Sequence, residues 1–143
     1  MINITNLTKK FGDTAVLRDV SFTVEKNQTI ALIGSSGGGK STILRCLNLL
    51  EKPTSGHFAI DGVQFDADHI TKDVTRDVRA KTGMVFQNFN LFQHLTALQN
   101  VTLGLENTQH IHPDEAKAIA LAQLEAVGLL DKQASYPSQL SGG

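Results

Sequence analysis

Nine consecutive residues, Gly34-Ser35-Ser36-Gly37-Gly38-Gly39-Lys40-Ser41-Thr42, have the types and the spacing to hold a phosphate. They fit G-x-x-x-x-G-K-[ST], the phosphate-binding P-loop. A phosphate needs donors and positive charge. Glycines at 34, 37, 38 and 39 let the backbone curl so that successive N–H groups point inward. A helix following directly would aim its unpaired N–H groups and the positive end of its dipole at the same place. Lys40 adds a full charge for the β- and γ-phosphates of a nucleotide, and the Ser41 hydroxyl can ligate a Mg²⁺ that bridges them.

The competing reading is a glycine-rich turn that binds nothing, and the flanking sequence weighs against it. Gln28-Thr29-Ile30-Ala31-Leu32-Ile33 is a short apolar run rich in β-branched residues, which predicts a buried strand. Ile43, Leu44, Leu47 and Leu50 fall at helical spacing after the loop. Strand, P-loop, helix is the context in which the motif binds phosphate.

Composition sets the class. The chain has 143 residues, the length of one ordinary domain, with 41% hydrophobic residues and a net charge of −1. That balance argues against a nucleic-acid surface or an anionic-lipid binder, but not against one local positive site. No apolar run reaches the length of a membrane span. Met1 to Asn6 shows neither the charged nor the apolar region of a signal peptide. Cys46 is the single cysteine, so an internal disulfide is impossible; its place in the helical stretch predicts a packed thiol.

Around the loop the chain reads as strands first and helices later. Ile2, Ile4 and Leu7 predict a half-buried strand over 2–8; Val16, Val20, Phe22 and Val24 predict one or two more within 15–24. Pro53 to Gly56 breaks the helix after the P-loop, and 57–62 and 63–65 read as further short strands. Thr71 to Lys81 is a charged helix with Val74 and Val78 on one side; Thr82 to Gln87 is a buried strand ending in a polar residue. A helix is expected from Ala97 to Leu105. The clearest one spans Pro113 to Val127, with Asp114 and Glu115 at its positive end, an apolar stripe of Ala116, Ile119, Ala120, Leu124 and Val127, and Gly128 as the stop. The layout is that of an α/β nucleotide-binding protein.

Further motifs, in order, resemble the nucleotide-binding subunit of an ATP-binding cassette (ABC) transporter. Phe11 before Gly12 matches the aromatic that stacks on adenine, Gln87 matches the Q-loop glutamine, and Leu140-Ser141-Gly142-Gly143 matches the start of the Leu-Ser-Gly-Gly-Gln signature, about a hundred residues after the P-loop. Arg45-Cys46-Leu47-Asn48, Glu51 to Gly56 and Gly83 to Phe92 resemble the polar-amino-acid uptake branch. Departures are modest: Ser35 and Gly38 replace the usual proline and serine, Lys26-Asn27 a common Gly-Glu, and Gln93 and Gln99 the usual proline and glutamate.

The resemblance implies an α/β P-loop NTPase of ABC type. Residues 1–88 would form the mixed β subdomain with the P-loop core, and 89–143 the start of a helical subdomain. It implies ATP and Mg²⁺ as cofactors, with Ser41 and Gln87 as Mg²⁺ or water contacts. Ser141, Gly142 and Gly143 would face the nucleotide of a second ATP-binding subunit in a head-to-tail dimer. The other implied partners are a transmembrane permease, docked on Phe89, Leu91, Phe92 and Leu95, and indirectly a substrate-binding protein, with no nucleic acid. The location implied is cytoplasmic, peripheral on the inner face of the cell membrane, and the function is coupling of ATP hydrolysis to import of an amino acid.

One family feature is absent. No run of four apolar residues followed by Asp-Glu occurs, and no switch histidine follows the signature. The C-terminal half of the fold is therefore expected to be missing, and this chain to be inactive alone. The alternatives are a non-catalytic nucleotide-binding fragment and a non-transport ATPase of the same superfamily. A GTPase would need Asp-x-x-Gly and Asn-Lys-x-Asp, and neither occurs. The five histidines are scattered, so a metal site built on them is not expected, and Asp66, Asp68 and Asp73 read as solvated surface charges.

Overall fold

The alternation of Ile2, Ile4 and Leu7 makes β1, Ile2–Phe11, the strand on which the first half of the molecule is built. In the computed structural model, which describes residues 1–141, β1 pairs antiparallel with β2, Thr14–Val24, on one side and with β3, Ser55–Ile60, on the other. β3 pairs antiparallel with β4, Val63–Asp66, giving the order β2-β1-β3-β4. The β3–β4 turn is Asp61-Gly62 at φ 43 and 87, the all-positive pair that suits tight hairpins and that glycine adopts without strain. The region 15–24 is one continuous strand. It stays paired across register shifts by placing short polar residues, Asn6 and Asp19, in the left-handed region; the Asn6 N–H donates to Ser21 Oγ at 2.8 Å.

One face of the sheet is apolar, and residues of two helices and of the turn after the first one cover it. Ile4, Leu7, Leu17, Phe58, Ile60 and Phe65 pack with Ile43, Cys46 and Leu49, and with Val78. Ile43 and Cys46 lie on α1, Lys40–Leu47; Val78 lies on α2, Lys72–Lys81. Thr71 caps α2 by accepting from the Val74 N–H at 3.2 Å. The ends of α1 and α2 are laced together. Arg79 Nη2 donates to Leu49 O at 3.0 Å, which supplies a partner to a carbonyl left open past the end of α1, and Asn48 Nδ2 donates to Thr82 Oγ1 at 2.7 Å.

Two expected strands are absent among the described residues: neither 28–33 nor 82–87 joins a ladder. Ile33 is 91% exposed and Val85 98%. Both have strand composition, but a strand exists only through hydrogen bonds to a neighbour, and these stretches pair with none of β1 to β4.

The chain divides into two compact units, Met1–Val85 and Phe86–Gly143. The second is helical. Thr96 and Gln99 form a reciprocal capping box that starts α3, Ala97–Asn107. The Ala97 and Leu98 N–H groups donate to Ser135 O and Gln133 O at 2.9 and 3.0 Å, satisfying donors the helix itself cannot. Pro113 opens α4, Pro113–Ala126, with Asp114 and Glu115 in its first turn. α3 packs on α4, where Ala116, Ala120 and Leu124 are buried; Val127 lies past the helix end and is exposed. No described helix is long and apolar enough to cross a membrane.

Candidate nucleotide-binding site

The P-loop closes on itself before α1 begins. The Gly38 N–H donates to Ser35 O at 3.2 Å, and Gly39 caps α1 in the left-handed region at φ 83 and ψ 0, its carbonyl accepting from the Ile43 N–H at 2.9 Å. Gly39 is glycine for two reasons. Its φ disfavours any side chain, and a Cβ there would sit 2.7 Å from Leu17 Cδ2 and 3.3 Å from Val16 O. The last turn of the loop is thus seated on β2, and a contact that sequence pattern does not encode sets where the loop lies.

Lys40 is the first residue of α1, yet its side chain turns back. Nζ donates to Gly34 O at 3.0 Å and to Ser35 O at 2.6 Å. The ammonium therefore lies against the opening residues of the loop, the place where a phosphate would meet it. Ser41, one residue on, is exposed, so its hydroxyl oxygen is open to a hard cation such as Mg²⁺. Gly34, Ser35, Ser36, Gly37 and Gly38 are exposed as well, and Thr42 is half-buried.

Phe11 is the last residue of β1, paired with Thr14 across the hairpin turn. Val16 and Leu17 of the same hairpin approach the Gly39 position, so the hairpin and the P-loop meet within the first unit. The Phe11 ring is 47% exposed. Lys9 Nζ lies 4.5 Å from its centroid, and the same ammonium donates to Lys52 O at 2.8 Å and pairs with Glu51 at 3.2 Å. Sequence reasoning passed over Lys9. Its signal was a charge at an inward-facing position of β1, where it is buried to 9% exposure.

Gln87, Ser141 and the apolar stretch after Gln87 all lie in the second unit. Gln87 does not end a strand. It stands in a turn in which the Phe89 N–H donates to Phe86 O at 3.2 Å, and its side chain is exposed. Phe89, 63% exposed, follows at φ 57, a conformation uncommon for a bulky residue. Asn100 on α3 anchors the next stretch, accepting from the Phe92 N–H at 2.9 Å and donating to Leu95 O at 3.1 Å. A cleft of about 530 Å³ within this unit is lined by Phe89, Leu91, Leu129, Leu140 and Ser141, among others. Gly142 and Gly143 of the signature lie outside the described residues.

Two smaller features are surroundings rather than site. Cys46 is fully buried, and burial pushes its thiol up to about 11, as a packed thiol requires. The fold gathers Asp66, Asp68 and His69 so that one ligand atom of each lies within 4.8 Å of the others, with the His57 ring hydrogen-bonded to Asp66. The grouping is local in sequence, and two of its members, Asp66 and Asp68, read there as solvated surface charges. All three clustered residues are exposed, and exposed pairs of this kind contribute little.

Comparison with known proteins bears on this geometry. The ABC transporter family matches residues 17–143. The glutamine transport ATP-binding protein GlnQ of Geobacillus stearothermophilus is 44% identical over 143 residues, covering all of this chain and 58% of its own length. The L-cystine import ATP-binding protein TcyN of Bacillus subtilis (strain 168) is 43% identical over 143 residues, with 100% and 55% covered. A dimeric structure of the ATP-binding cassette MJ0796, in a post-hydrolysis state bound to ADP and Pi, superposes with a TM-score of 0.83 at 35% identity, covering 99% of this chain and 64% of that one. The chain thus spans little more than half the length of such curated relatives. With its P-loop seated on an antiparallel sheet and its match running to residue 143, this chain belongs to the ABC transporter family.

Proposed function

We propose that this chain is the Mg-ATP-binding front part of the ATP-binding subunit of an amino-acid importer. The observation that carries the reading is Lys40, whose ammonium is turned back onto Gly34 O and Ser35 O at the mouth of a glycine-capped loop. In this reading Gly34 to Thr42 cradle the phosphates, Ser41 ligates Mg²⁺ and Phe11 stacks on adenine. Gln87 contacts Mg²⁺ or water, and Ser141 with Gly142 and Gly143 reaches the nucleotide of a second subunit. Mg²⁺ would supply charge neutralisation between the β- and γ-phosphates. Residues 1–88 would form the ATP-binding core and 89–143 the partial helical subdomain. The similar proteins include glutamine and L-cystine transporters, which supports an amino acid as cargo and leaves its side chain open. The exposed Phe89, Leu91 and Phe92 fit a membrane permease partner, with the subunit peripheral on the inner face of the membrane.

Replacing Lys40 by Ala removes charged hydrogen bonds to phosphate, so ATP affinity should fall by at least about tenfold in a calorimetric titration with Mg²⁺. Equal affinity in the two proteins would end the phosphate-site assignment. A second reading, binding without turnover, is favoured by the lack of an apolar run ending in Asp-Glu within these residues. Phosphate release by the 143-residue chain that disappears in Lys40→Ala would count against it.

A further inference from the structure

We propose that Lys9 is a positioning residue for the nucleotide base, acting through Phe11; the inference rests on the stacking role given to Phe11 above. A lysine in a half-buried strand ordinarily turns its ammonium out to water. Lys9 does the opposite. It is 9% exposed, and its ammonium makes three contacts: Lys52 O at 2.8 Å, the Glu51 carboxylate at 3.2 Å and the face of Phe11 at 4.5 Å from the centroid. The first two fix the charge in place from the segment that follows α1. The third uses that fixed charge to hold one face of an aromatic ring that otherwise stands at a hairpin end, nearly half exposed.

The consequence is orientation. A free phenylalanine at a strand end samples several rotamers, and stacking a base on it would freeze that freedom at the moment of binding. A ring already held by a buried ammonium loses less. The same charge withdraws electron density from the ring and covers one face, so a base has the other face to use. Lys9 also ties the base-binding ring to the chain just beyond the P-loop helix, through Glu51 and Lys52. The geometry therefore makes Lys9 a determinant of base affinity and leaves phosphate affinity alone.

The test separates base from phosphate on the full 143-residue chain. Affinities for ATP and for inorganic tripolyphosphate, which lacks a base, are measured with Mg²⁺ for the unaltered chain, Lys9→Met, Lys9→Arg, Phe11→Ala and the Lys9→Met/Phe11→Ala pair. Lys9→Met, which keeps the stem and removes the charge, should weaken ATP by about three- to tenfold and leave tripolyphosphate unchanged. Lys9→Arg should recover part of the loss. The double variant should bind ATP no more weakly than Phe11→Ala alone, because Lys9 has no ring left to act through. Unchanged ATP affinity in Lys9→Met, an equal fall for both ligands, or additive losses in the double variant would each overturn the proposal. If Lys40→Ala binds ATP as well as the unaltered chain, the fault lies instead with the nucleotide-site reading.

Discussion

The four-stranded sheet and the two apolar segments 28–33 and 82–87 draw on the same residue types, yet they end in opposite states. In β1 and β3, Ile4, Leu7, Phe58 and Ile60 are buried to a few per cent exposure, paired edge to edge and covered by α1 and α2. In the other two segments Ile33 and Val85 stand almost fully in solvent, and no described strand pairs with them. The difference lies in whether a run finds a neighbour. β1 finds β2 and β3 finds β4 across two-residue turns, and β1 finds β3 across the whole P-loop stretch. Segments 28–33 and 82–87 find no such neighbour among the described strands, so their backbone groups join no sheet. An apolar run states that a segment is able to be a strand; only its neighbour makes it one.

The sharpest way to break this contrast is to truncate one isoleucine from each region. Ile60→Ala should cost about 2–5 kcal/mol, read as a fall in the urea midpoint, because it opens a cavity in the covered face. Ile33→Ala in the same chain should stay within about 0.5 kcal/mol. Leu32 of the same segment already packs against the core, so similar costs at the two positions would mean that Ile33 is packed as well. Gly39→Ala tests the border between the regions, where the P-loop leans on β2. Positive φ and the 2.7 Å approach to Leu17 together should cost about 1–3 kcal/mol and weaken ATP binding; an alanine accepted without either effect would show that the loop is not seated there.

Cys46 probes the covered side by pH. Its folded value of about 11 stands above the ordinary 9.0, so the stability tied to the neutral thiol is fully present below pH 9 and is lost as pH rises through 11. Following thiolate absorbance against pH should give a midpoint near 11 in the folded chain, and a midpoint near 9 would mean that the core admits water. A modest effect is expected at Thr96→Ala, about 1 kcal/mol by thermal unfolding, since it removes one half of a capping box.

That last case also shows what the sequence makes readable. Helix α4 is a local statement, a proline followed by two acids, and it stands as expected; the box at Thr96, a Thr and a Gln three residues apart, is equally local, although the sequence reading predicts only the helix it starts. The P-loop motif was readable for the same reason, as were strands over 2–8, 15–24, 57–62 and 63–65, though not the order in which they pair. The readings that failed depended on where the backbone turns or on a distant partner. Leu50 fitted the helical stripe but is exposed, because α1 stops at Leu47 and the chain turns through Leu49 at φ 53. Gln87 was placed at the end of a strand whose partner is not among the described residues. Lys9 was not singled out at all, because Glu51 and Lys52, which close around it together with its strand neighbour Phe11, lie far from it in sequence.

The contact between Gly39 and Leu17 has a mechanical consequence. A methyl group added at Gly39 would have to push aside the end of Leu17 and crowd Val16 O, so the loop and β2 share one packed joint. Because β2 is bonded along its length to β1, a displacement of the loop at this glycine is opposed by the strand pair and not by one side chain alone.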